Sequence, residues 1–282
     1  MKFFKIKSYA KLNLSLNVIK KIPKKLHAIE SLVTFINFYD LIYIREIKAL
    51  KHKIKFFGKF SKNITKNNTV NNLLNLLDKK DLLKGKKFEI KIIKNIPQKS
   101  GMGGGSMNAS NIAKFFLTRR IINLSKKNIN NIIKSIGSDV PLGMNLKNTI
   151  ISKTGKLTIK EKKLGLYTLI VKPNFGCSTK AIYSITKVKT KPKYNSLRTS
   201  FFSIKNIINS NNDLEKAAFK LKPKLKNLKL FLSNLPNAIC VRMTGSGSCM
   251  VTYYHSKKEA LKGLRLFKKK YKNYWCIISK TV

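Results

Sequence analysis

Residues 97–110 read PQKSGMGGGSMNAS, and this stretch decides how the rest of the sequence is interpreted. Four glycines fall within the five positions 101–105, and the hydroxyl residue Ser106 follows them at once. Because glycine has no Cβ, its backbone reaches left-handed conformations and approaches a ligand closely. Successive amides of such a loop converge on an anion, and the first turn of a following helix adds its own free amides. The stretch therefore predicts a phosphate-binding loop.

The flanking residues distinguish this loop from a flexible linker, which is polar on both sides. Apolar residues alternate over 88–93 and predict a strand, whereas apolar residues at helical spacing after Ser106 predict a helix. Strand, glycine loop and helix form the context that favours a phosphate site. The common P-loop is excluded because no Gly-Lys-Ser/Thr follows. The dinucleotide fingerprint is excluded because Ser106 stands where its third glycine would fall.

The charge balance is extreme, with 60 Lys and Arg against 11 Asp and Glu in 282 residues, a formal net charge of +49. A dense positive field attracts phosphate backbones, so one interpretation is a nucleic-acid-binding protein. The other is compositional bias, because lysine is spread over the whole length together with abundant Asn and Ile, residues that A/T-rich codons encode. On either interpretation the field attracts anionic small molecules.

The four cysteines show neither a C-x-x-C pair nor a metal-ligand spacing with the three histidines, which indicates reduced thiols in a cytoplasmic protein. No apolar run approaches the ~18 residues of a membrane span. The N-terminal segment lacks an uninterrupted apolar region of signal-peptide length and reads as a strand almost from the start. We therefore expect a cytoplasmic protein without a membrane partner.

The segment 10–18 alternates between apolar and polar residues, which predicts a strand with one buried face. Lys11 and Asn13 project together from the opposite, non-core face. Further strands are predicted at 32–38, 41–44, 166–171, 238–243, 249–254 and 275–278, and helices at 72–83, 128–136 and 256–270. The pattern changes near residue 150, and the expected domains are 1–152 and 153–282.

Three polar clusters can carry chemistry, and each has a structural alternative. Lys11 is either functional or one more exposed lysine. Asp139, in the turn GSDVP at 137–141, is either an Asx turn or helix cap, or a carboxylate beside a phosphate site that accepts a hydroxyl proton. The segment TGSGS at 244–248 is either a tight hairpin turn or a second set of amide donors facing the first loop.

Phosphoryl transfer needs a cradle for the nucleotide phosphates, positive charge for the moving group and a group that orients the acceptor hydroxyl. The 101–106 loop, Lys11 and Asp139 supply one of each. A lysine close to an aspartate keeps the carboxylate ionised and stabilises charge that gathers on the transferred group. That role requires Lys11 and Asp139 to meet in space, which the sequence leaves open.

Taken in order, the motifs resemble those of the GHMP kinase superfamily: AKLNL at 10–14, the loop at 97–108, GSDVP at 137–141 and MTGSGS at 243–248. They extend over nearly the whole chain. The resemblance implies an α+β fold of two domains. The N-terminal one (1–152) would be ribosomal-protein-S5-like and bind ATP, and the C-terminal one (153–282) would be ferredoxin-like.

The resemblance also implies ATP-dependent phosphorylation of a small-molecule alcohol, with Mg²⁺ carried by the nucleotide. The AKLNL opening favours the members that phosphorylate the 2-hydroxyl of a cytidine-diphosphate-linked methylerythritol in the non-mevalonate isoprenoid pathway. The implied partner is this small molecule, with no specific nucleic acid and with a monomer or homodimer as the assembly.

By position, the resemblance makes Lys11 and Asp139 the catalytic pair and Asn13, His27 and Tyr183 substrate contacts. It implies no metal ligand from the protein. The turn that supports the site would consist of Gly245, Ser246 and Gly247. The implied ATP-binding residues are Pro97, Gln98, Lys99, Ser100, Gly101, Met102, Gly103, Gly104, Gly105, Ser106 and Met107.

The chain departs from the family pattern at two positions. Residues 24–27 read KKLH where the family has Asp-Gly-Tyr-His, so Leu26 replaces an aromatic residue and weaker stacking on cytosine is expected. Met107 replaces a serine and removes one hydroxyl contact to phosphate or Mg²⁺.

Two alternatives stay open. One is another GHMP kinase with a different alcohol acceptor, and the other is a basic RNA-binding protein. The chain shows no aromatic-interleaved basic motif of the kind that stacks bases. An RNA-binding protein also has no need of the glycine loop or of its later aspartate.

Overall fold

The structure is a computed structural model that describes residues 2–22, 26–187, 190–194 and 199–282; Leu26 and Thr199 are described by their backbone alone. Contacts divide the chain into two compact units that interleave along the sequence. Unit 1 contains the chain up to Ala10, Phe38–Pro97 and Gly103–Leu146, and unit 2 contains Lys11–Asn37, Gln98–Met102 and Lys147–Val282. The domain boundary after residue 152 stays a prediction.

Two long strands, β1 (Phe4–Ile22) and β2 (Leu26–Ile47), pair with each other and contribute residues to both units. The sequence predicts two shorter strands, 32–38 and 41–44, in place of β2. The strand continues because Asp40 is fully buried and hydrogen-bonded, so its polarity does not require a loop.

Unit 1 is a sheet covered on one face by helices. The second part of β2 pairs antiparallel with β4 (Lys87–Ile93), and β4 pairs parallel with β3 (Lys53–Phe57). The covering helices are α1 (Thr69–Lys79), α2 (Gly104–Thr118), α3 (Lys126–Ile136) and a 3₁₀ helix, Val140–Met144. Their apolar faces meet the strands in one buried cluster, which includes Ile42, Ile44, Ile90, Ile92, Leu73, Leu77, Ile112, Phe116 and Ile133.

Helix α1 begins and ends earlier than its apolar pattern predicts. Asn68 caps its start, because the Asn68 side chain accepts hydrogen bonds from the amides of Val70 and Asn71 at 3.0 and 3.1 Å. Asp81 and Lys84 adopt positive φ and end the helical run, so Leu83 reaches the core from a turn. The capping residue, rather than the first leucine, sets the helix start.

Unit 2 contains an antiparallel sheet in the order β10-β7-β9-β8. These strands are β7 (Tyr167–Lys172), β8 (Cys240–Met243), β9 (Met250–Tyr254) and β10 (Trp275–Lys280). The first part of β2 pairs separately with β5 (Asn148–Ile151), which pairs with β6 (Leu157–Lys160). Each unit therefore combines sheet and helix, as an α+β fold requires.

The helices of unit 2 are α4 (Thr179–Ile185), α5 (Ile204–Ile208), α6 (Leu214–Leu221), α7 (Lys224–Ser233) and α8 (Lys257–Lys270), with a 3₁₀ helix at Thr199–Phe202. The predicted capping box of α8 is confirmed: the Glu259 amide donates to Ser256 Oγ at 3.2 Å, and the Ser256 amide donates to the Glu259 carboxylate at 2.9 Å. The main buried cluster includes Leu169, Val171, Leu214, Leu228, Val241, Met250, Tyr254 and Phe267.

The expectation that the polar face of β1 is a non-core face is wrong. Lys11 and Asn13 are each 3% exposed, and Ser15 and Asn17 on the same face are also buried. Buried polar groups require hydrogen-bond partners. Asn13 Nδ2 donates to Ser31 Oγ at 2.8 Å, and the Ser15 and Tyr194 hydroxyls hydrogen-bond at 2.7 Å. Strict alternation predicted the strand correctly but could not show that both faces are covered.

Candidate active site

The second half of the glycine stretch forms the start of helix α2 in unit 1. The helix begins at Gly104, earlier than predicted, and Gly103 precedes it as the capping residue with a left-handed φ of 70°. Gly104, Gly105 and Ser106 therefore form the first turn, whose amides have no acceptor within the helix. The first intrahelical bond runs from the Met107 amide to Gly103 O at 2.8 Å. An exposed turn of this kind is a ready anion-binding element.

A fully buried carboxylate, Asp40, organises the chain on both sides of this turn. Its Oδ1 accepts the amides of Asn95 and Ile96, both at 2.8 Å. Its Oδ2 accepts Lys94 Nζ in a buried ion pair and Asn108 Nδ2 at 3.0 Å. Asp40 thus ties the segment entering the glycine stretch to the second turn of α2.

Gly104 lies directly against this buried ion pair. A Cβ at that position would come within 3.0 Å of Ile96 Cγ2 and 3.2 Å of Lys94 Nζ. The absence of a side chain lets the first helical turn approach the lysine ammonium. Because Asp40 neutralises the Lys94 ammonium, the attraction for an anion comes from the free amides of the turn and the positive end of the helix dipole. The arrangement favours an anionic ligand.

Asp139 is half-buried and directly precedes the 3₁₀ helix, where Pro141 occupies the first turn. The backbone holds it through the Leu142 amide, which donates to Asp139 O at 3.2 Å. Its side chain makes no capping hydrogen bond to that helix. The helix-cap interpretation of the Asp139 side chain is therefore wrong.

Met107 turns inward rather than toward a ligand. Its side chain is fully buried, and Met107 Sδ would lie 3.1 Å from a Cβ at Gly143. Its contribution to nucleotide binding, which stays a prediction, would have to come from the backbone. The departure from serine at this position is thus accommodated by packing.

The first half of the glycine stretch belongs to unit 2 and is held by backbone contacts. Gly101 has a left-handed φ of 75°, and a Cβ there would lie 1.9 Å from Thr244 O. The Ser248 amide donates to Lys99 O at 3.2 Å, and the Cys249 amide donates to Ser100 O at 3.3 Å. Glycine is therefore required at position 101 by both conformation and space.

The 244–248 segment is a hairpin turn between β8 and β9 that also packs on this first half. The Thr244 amide donates to Cys249 O at 3.1 Å, which closes the turn. Asn212 Nδ2 donates to Met243 O at 2.7 Å and Gly245 O at 2.8 Å. The segment is therefore a hairpin turn, and it also faces the first loop. Its Ser248 amide donates to a carbonyl of that loop rather than to a ligand. The supporting role predicted for Gly245 and Gly247 stays a prediction.

The third member of this turn, Ser246, is fixed at its hydroxyl. Ser246 Oγ and Thr179 Oγ1 hydrogen-bond at 2.8 Å, at the start of α4. Cys249, which follows the turn, is fully buried, and burial raises the pKa of its thiol to about 12. Cys249 is therefore protonated at neutral pH and unsuited to nucleophilic chemistry.

Lys11 and Asn13 lie side by side in unit 2. Lys11 Nζ donates to Asn13 Oδ1 at 2.6 Å. The Lys11 amide donates to Met102 O at 3.1 Å, and the Asn13 amide donates to Thr244 Oγ1 at 3.0 Å. The strand that carries both predicted site residues is thus joined to the first half of the glycine stretch and to the hairpin turn.

His27 and Tyr183, two predicted substrate contacts, also lie together in unit 2. Their ring centroids are 5.0 Å apart at an interplanar angle of 33°. Partial burial, with a smaller contribution from the Lys21 charge, lowers the pKa of His27 below its usual value. His27 therefore stays neutral near pH 7 and offers one donor and one acceptor. The neighbouring position, where an aromatic residue was expected from the family pattern, is Leu26, and its side chain lies outside the described residues.

Sequence reasoning missed the residues that hold the site elements in place. Asp40 and Asn212 are both buried, at 0% and 3% exposure, and each bonds two or more backbone groups. The scarcity of acids was a usable signal for Asp40, since a lone Asp within an apolar strand needs partners. Asn212 lies in a stretch rich in Lys, Asn and Ser, where nothing in the sequence singles it out.

Within the described part of the chain, no cluster of three or more His, Cys, Asp or Glu side chains is arranged to hold a metal ion. Across the same residues, no helix combines the length and apolar character needed to cross a bilayer.

Two family models match the chain. They are "GHMP kinases N terminal domain" over residues 68–146 and "GHMP kinases C terminal" over residues 196–273. Together they cover more than half of the chain; the first includes the glycine stretch and Asp139, and the second includes the hairpin turn. The chain therefore belongs to the GHMP kinase family, and it is a small-molecule kinase of α+β fold.

Among the proteins that resemble it over nearly the full length are two kinases known by sequence and one solved structure. The 4-diphosphocytidyl-2-C-methyl-D-erythritol kinase of Pelagibacter ubique (strain HTCC1062) is 50% identical and covers 100% of both chains. The kinase of the same name from Anaplasma marginale (strain Florida) is 28% identical over 98% of this chain and 96% of its own. A crystal structure of 4-(cytidine 5'-diphospho)-2C-methyl-D-erythritol kinase has a TM-score of 0.74 at 18% identity, covering 98% and 99% of the two chains. This last similarity confirms the predicted fold.

Proposed function

We propose that the protein catalyses ATP-dependent phosphorylation of the 2-hydroxyl of 4-diphosphocytidyl-2-C-methyl-D-erythritol. The observation that carries this proposal is the 50% identity to the Pelagibacter ubique kinase, which extends over the whole of both chains. Identity at that level and coverage exceeds what a shared fold alone requires. The pathway assignment, non-mevalonate isoprenoid synthesis, follows from this substrate.

The nucleotide would bind the predicted residues Pro97–Met107. The support is the first turn of α2, whose amides are free of helical acceptors, with glycine at 104 where a Cβ would crowd Ile96. The buried Lys94–Asp40 ion pair lies next to that turn and holds the segment that enters it. Bound ATP would supply the phosphoryl group, and Mg²⁺, held mainly by the phosphates and water, would offset their charge.

Asp139 and Lys11 would perform the chemistry at the acceptor hydroxyl. The Asp139 carboxylate would accept the hydroxyl proton as the oxygen–phosphorus bond forms, and ADP would leave with the electrons of the broken bridging bond. The Lys11 ammonium would stabilise the negative charge that gathers on the transferred group. Supporting this assignment, Lys11 is buried beside the polar Asn13, and Asp139 is half-buried at the start of the 3₁₀ helix.

The substrate would contact Asn13, His27 and Tyr183. The support is the neutral His27 ring against Tyr183, which together offer an aromatic surface and hydrogen-bonding atoms for a base. Leu26 cannot provide the ring that the family places there, so the affinity for the cytosine base rests on fewer stacking contacts.

The test is ADP formation by the purified protein with a panel of acceptors: the cytidine-linked substrate, mevalonate, homoserine and galactose. The expected result is turnover with the cytidine-linked substrate alone. Turnover with another alcohol would assign the chain to a different GHMP kinase. Turnover with none of the four would overturn the proposal.

Two substitutions test the catalytic pair within the same assay. Asp139→Asn is expected to lower kcat by about 10²–10⁴-fold while ATP still binds. Lys11→Met is expected to lower kcat by about 10²–10³-fold, with a smaller effect on nucleotide affinity. Asp81→Asn is the matched control, since Asp81 is an exposed turn residue with positive φ, which Asn also tolerates. Near-normal kcat in Asp139→Asn would remove Asp139 from the mechanism.

A further inference from the structure

The described helices of unit 1 pack on one face of its sheet, and the side chains of the other face follow from the strand register. Across β2, β4 and β3, Tyr43 is opposite Lys91, which is opposite Lys55. Residues directly opposite each other share a face. The neighbouring positions Ile42, Ile44, Ile90 and Ile92 point to the helix-covered core instead. We name the other side the open face; its residues are Phe3, Lys5, Lys7, Tyr9, Tyr39, Leu41, Tyr43, Arg45, Lys53, Lys55, Phe57, Glu89, Lys91 and Ile93.

Aromatic rings are distributed across the open face. Phe3 and Tyr43 contact edge to face with centroids 6.5 Å apart, and Tyr9 and Tyr39 do so at 5.2 Å. All four side chains are only partly exposed, and Phe57 at the outer strand is 45% exposed. Their rings therefore keep surface that a flat ligand can reach.

Cations lie between and above these rings. Lys7 Nζ lies 4.9 Å from the Tyr39 centroid, and the Arg45 guanidinium and Lys91 Nζ lie 4.5 and 4.7 Å from Phe3. Among the described side chains of the open face, Glu89 is the sole carboxylate. It is already engaged, because Arg45 Nε donates to it at 2.7 Å.

Two lysines are neighbours on this face, and one of them, Lys91, also lies 3.5 Å from the Glu89 carboxylate. Lys55 and Lys91 are direct cross-strand partners in the parallel β3–β4 ladder. Like charges directly opposite each other destabilise a sheet. A polyanion bound to the face would reduce the repulsion between these two lysines, and this relief would strengthen its binding. Lysine-rich composition explains many lysines, but it does not explain why rings and cations alternate on this face of the sheet.

We propose that the open face binds single-stranded nucleic acid without sequence specificity. Phosphates would pair with Lys5, Lys7, Lys53 and Lys55, while bases stack on the partly exposed tyrosine rings. Aromatic stacking is tolerant of sequence because every base has a flat face, and a basic surface follows the backbone. A sheet with helices behind it and rings in front is an established platform for this mode of binding. This activity is separate from the kinase reaction and does not depend on it.

The sequence could not reveal this surface, because the alternation runs across strands rather than along the chain. Phe3 and Tyr43 are 40 positions apart, and Lys91 follows 48 positions after Tyr43. Rings and cations that alternate across neighbouring strands therefore leave no aromatic-interleaved basic motif along the sequence. The inference is compatible with the expectation of no specific nucleic-acid partner.

The experiment measures fluorescence anisotropy of a labelled uridine oligonucleotide of about 12 residues with the full chain, between about 50 and 200 mM salt. The Tyr39→Leu/Tyr43→Leu variant is expected to bind about tenfold or more weakly. Lys7→Gln/Lys55→Gln is expected to weaken binding and reduce the log–log salt slope by about 1.4. The control, Lys257→Gln/Lys262→Gln on helix α8, removes the same charge from exposed positions elsewhere and is expected to change affinity less than about twofold.

Three results would each overturn the proposal. The tyrosine variant could bind the oligonucleotide as tightly as the unaltered chain, or the α8 control could weaken binding as much as the open-face lysines do. Inorganic polyphosphate or phosphatidylserine vesicles could also depend on Tyr39 and Tyr43 as RNA does, which would make the face a general anion or membrane surface. Thermal melting of each variant establishes that it is folded. Kinase activity is measured in parallel, so failure of one proposal is distinguishable from failure of the other.

Discussion

The two halves of the glycine stretch are consecutive in the chain but are held by different forces. Residues 98–102, in unit 2, are fixed backbone to backbone, with Gly101 pressed against Thr244 and amides of the hairpin turn donating to loop carbonyls. Residues 103–107, in unit 1, begin helix α2, and the next residue, Asn108, is hydrogen-bonded to the buried Asp40, which also pairs with Lys94. Two different kinds of contact, between backbone groups and between buried side chains, thus stabilise the two halves of one sequence motif.

This difference explains why glycine occurs at both places. At position 101 the residue is required because no Cβ fits and φ is left-handed. At position 104 φ is not left-handed, and glycine serves to bring the helical turn close to the Lys94 ammonium. The conformation of the first half depends on close backbone packing, and that of the second half depends on a buried ion pair. Substitutions that change the packing alone or the charge alone therefore test this difference.

The largest effect is expected from the charged half. Asp40→Asn keeps the side-chain volume but places an amide donor against Lys94 Nζ and leaves a buried ammonium without its carboxylate. Breaking a buried pair on one side costs about 3–5 kcal/mol. We expect the free energy of unfolding, measured by urea denaturation, to fall by about 4 kcal/mol, with a raised KM for ATP in any folded fraction.

A double-mutant cycle makes this prediction specific to charge. Lys94→Met removes the ammonium while keeping an unbranched side chain, so Asp40→Asn/Lys94→Met is expected to recover part of the loss. The coupling energy should be about 1–3 kcal/mol. Additive losses would mean that the Asp40 hydrogen bonds to backbone amides, rather than its charge, hold the second half.

A smaller loss is expected from the shape-dependent half. Gly101→Ala forces a Cβ to a point 1.9 Å from Thr244 O and strains a left-handed backbone. Overpacking costs about 1–3 kcal/mol and left-handed φ about 1–2 kcal/mol, so the expected loss of stability is about 3 kcal/mol. The hairpin turn would have to move, and nucleotide binding measured by calorimetry should weaken.

Gly155→Ala is the matched control for the loop substitution. Gly155 also lies in unit 2, has φ 73°, and has nothing within 4 Å of its Cβ position. This variant carries the conformational strain without the collision, so its loss should be only about 1–2 kcal/mol. Equal losses in the two variants would show that conformation alone, and not contact with Thr244, requires glycine at 101.

Most elements of the fold could be predicted from the sequence because they depend on local patterns. The strand predicted at 88–93 and the helix at 128–136 lie within one or two residues of β4 and α3, and Gly137 follows α3 as expected. The phosphate-loop context was equally local. These predictions succeed because periodicity, capping and glycine act over a few residues.

What could not be predicted depends on contacts distant in sequence. The burial of Lys11 and Asn13 comes from partners such as Ser31 and Thr244, the latter 231 positions from Asn13. Asp40 gains its role from Lys94 and Asn108, which no local pattern joins to it. A strand pattern reports which residues can share a face. It cannot report what covers that face.

The smallest effect is expected from a side chain that reinforces the shape-dependent half. Thr244 Oγ1 accepts the Asn13 amide at 3.0 Å and donates to Gly101 O at 3.3 Å. Thr244→Val keeps the branched shape and removes both bonds. A lost hydrogen bond with a buried donor left behind costs about 1–3 kcal/mol, and the second bond is long, so we expect a loss near the low end, about 1 kcal/mol.

The comparison of Thr244→Val with Gly101→Ala is the sharpest available, because both variants disturb the same pair of segments. Urea denaturation of the two, with Thr252→Val on β9 as a control for removing a buried threonine hydroxyl, measures the difference. If backbone shape holds the first half, Gly101→Ala loses clearly more stability than Thr244→Val. If Thr244→Val loses as much, a side-chain hydrogen bond holds this half too, and the contrast with the Asp40-centred half disappears.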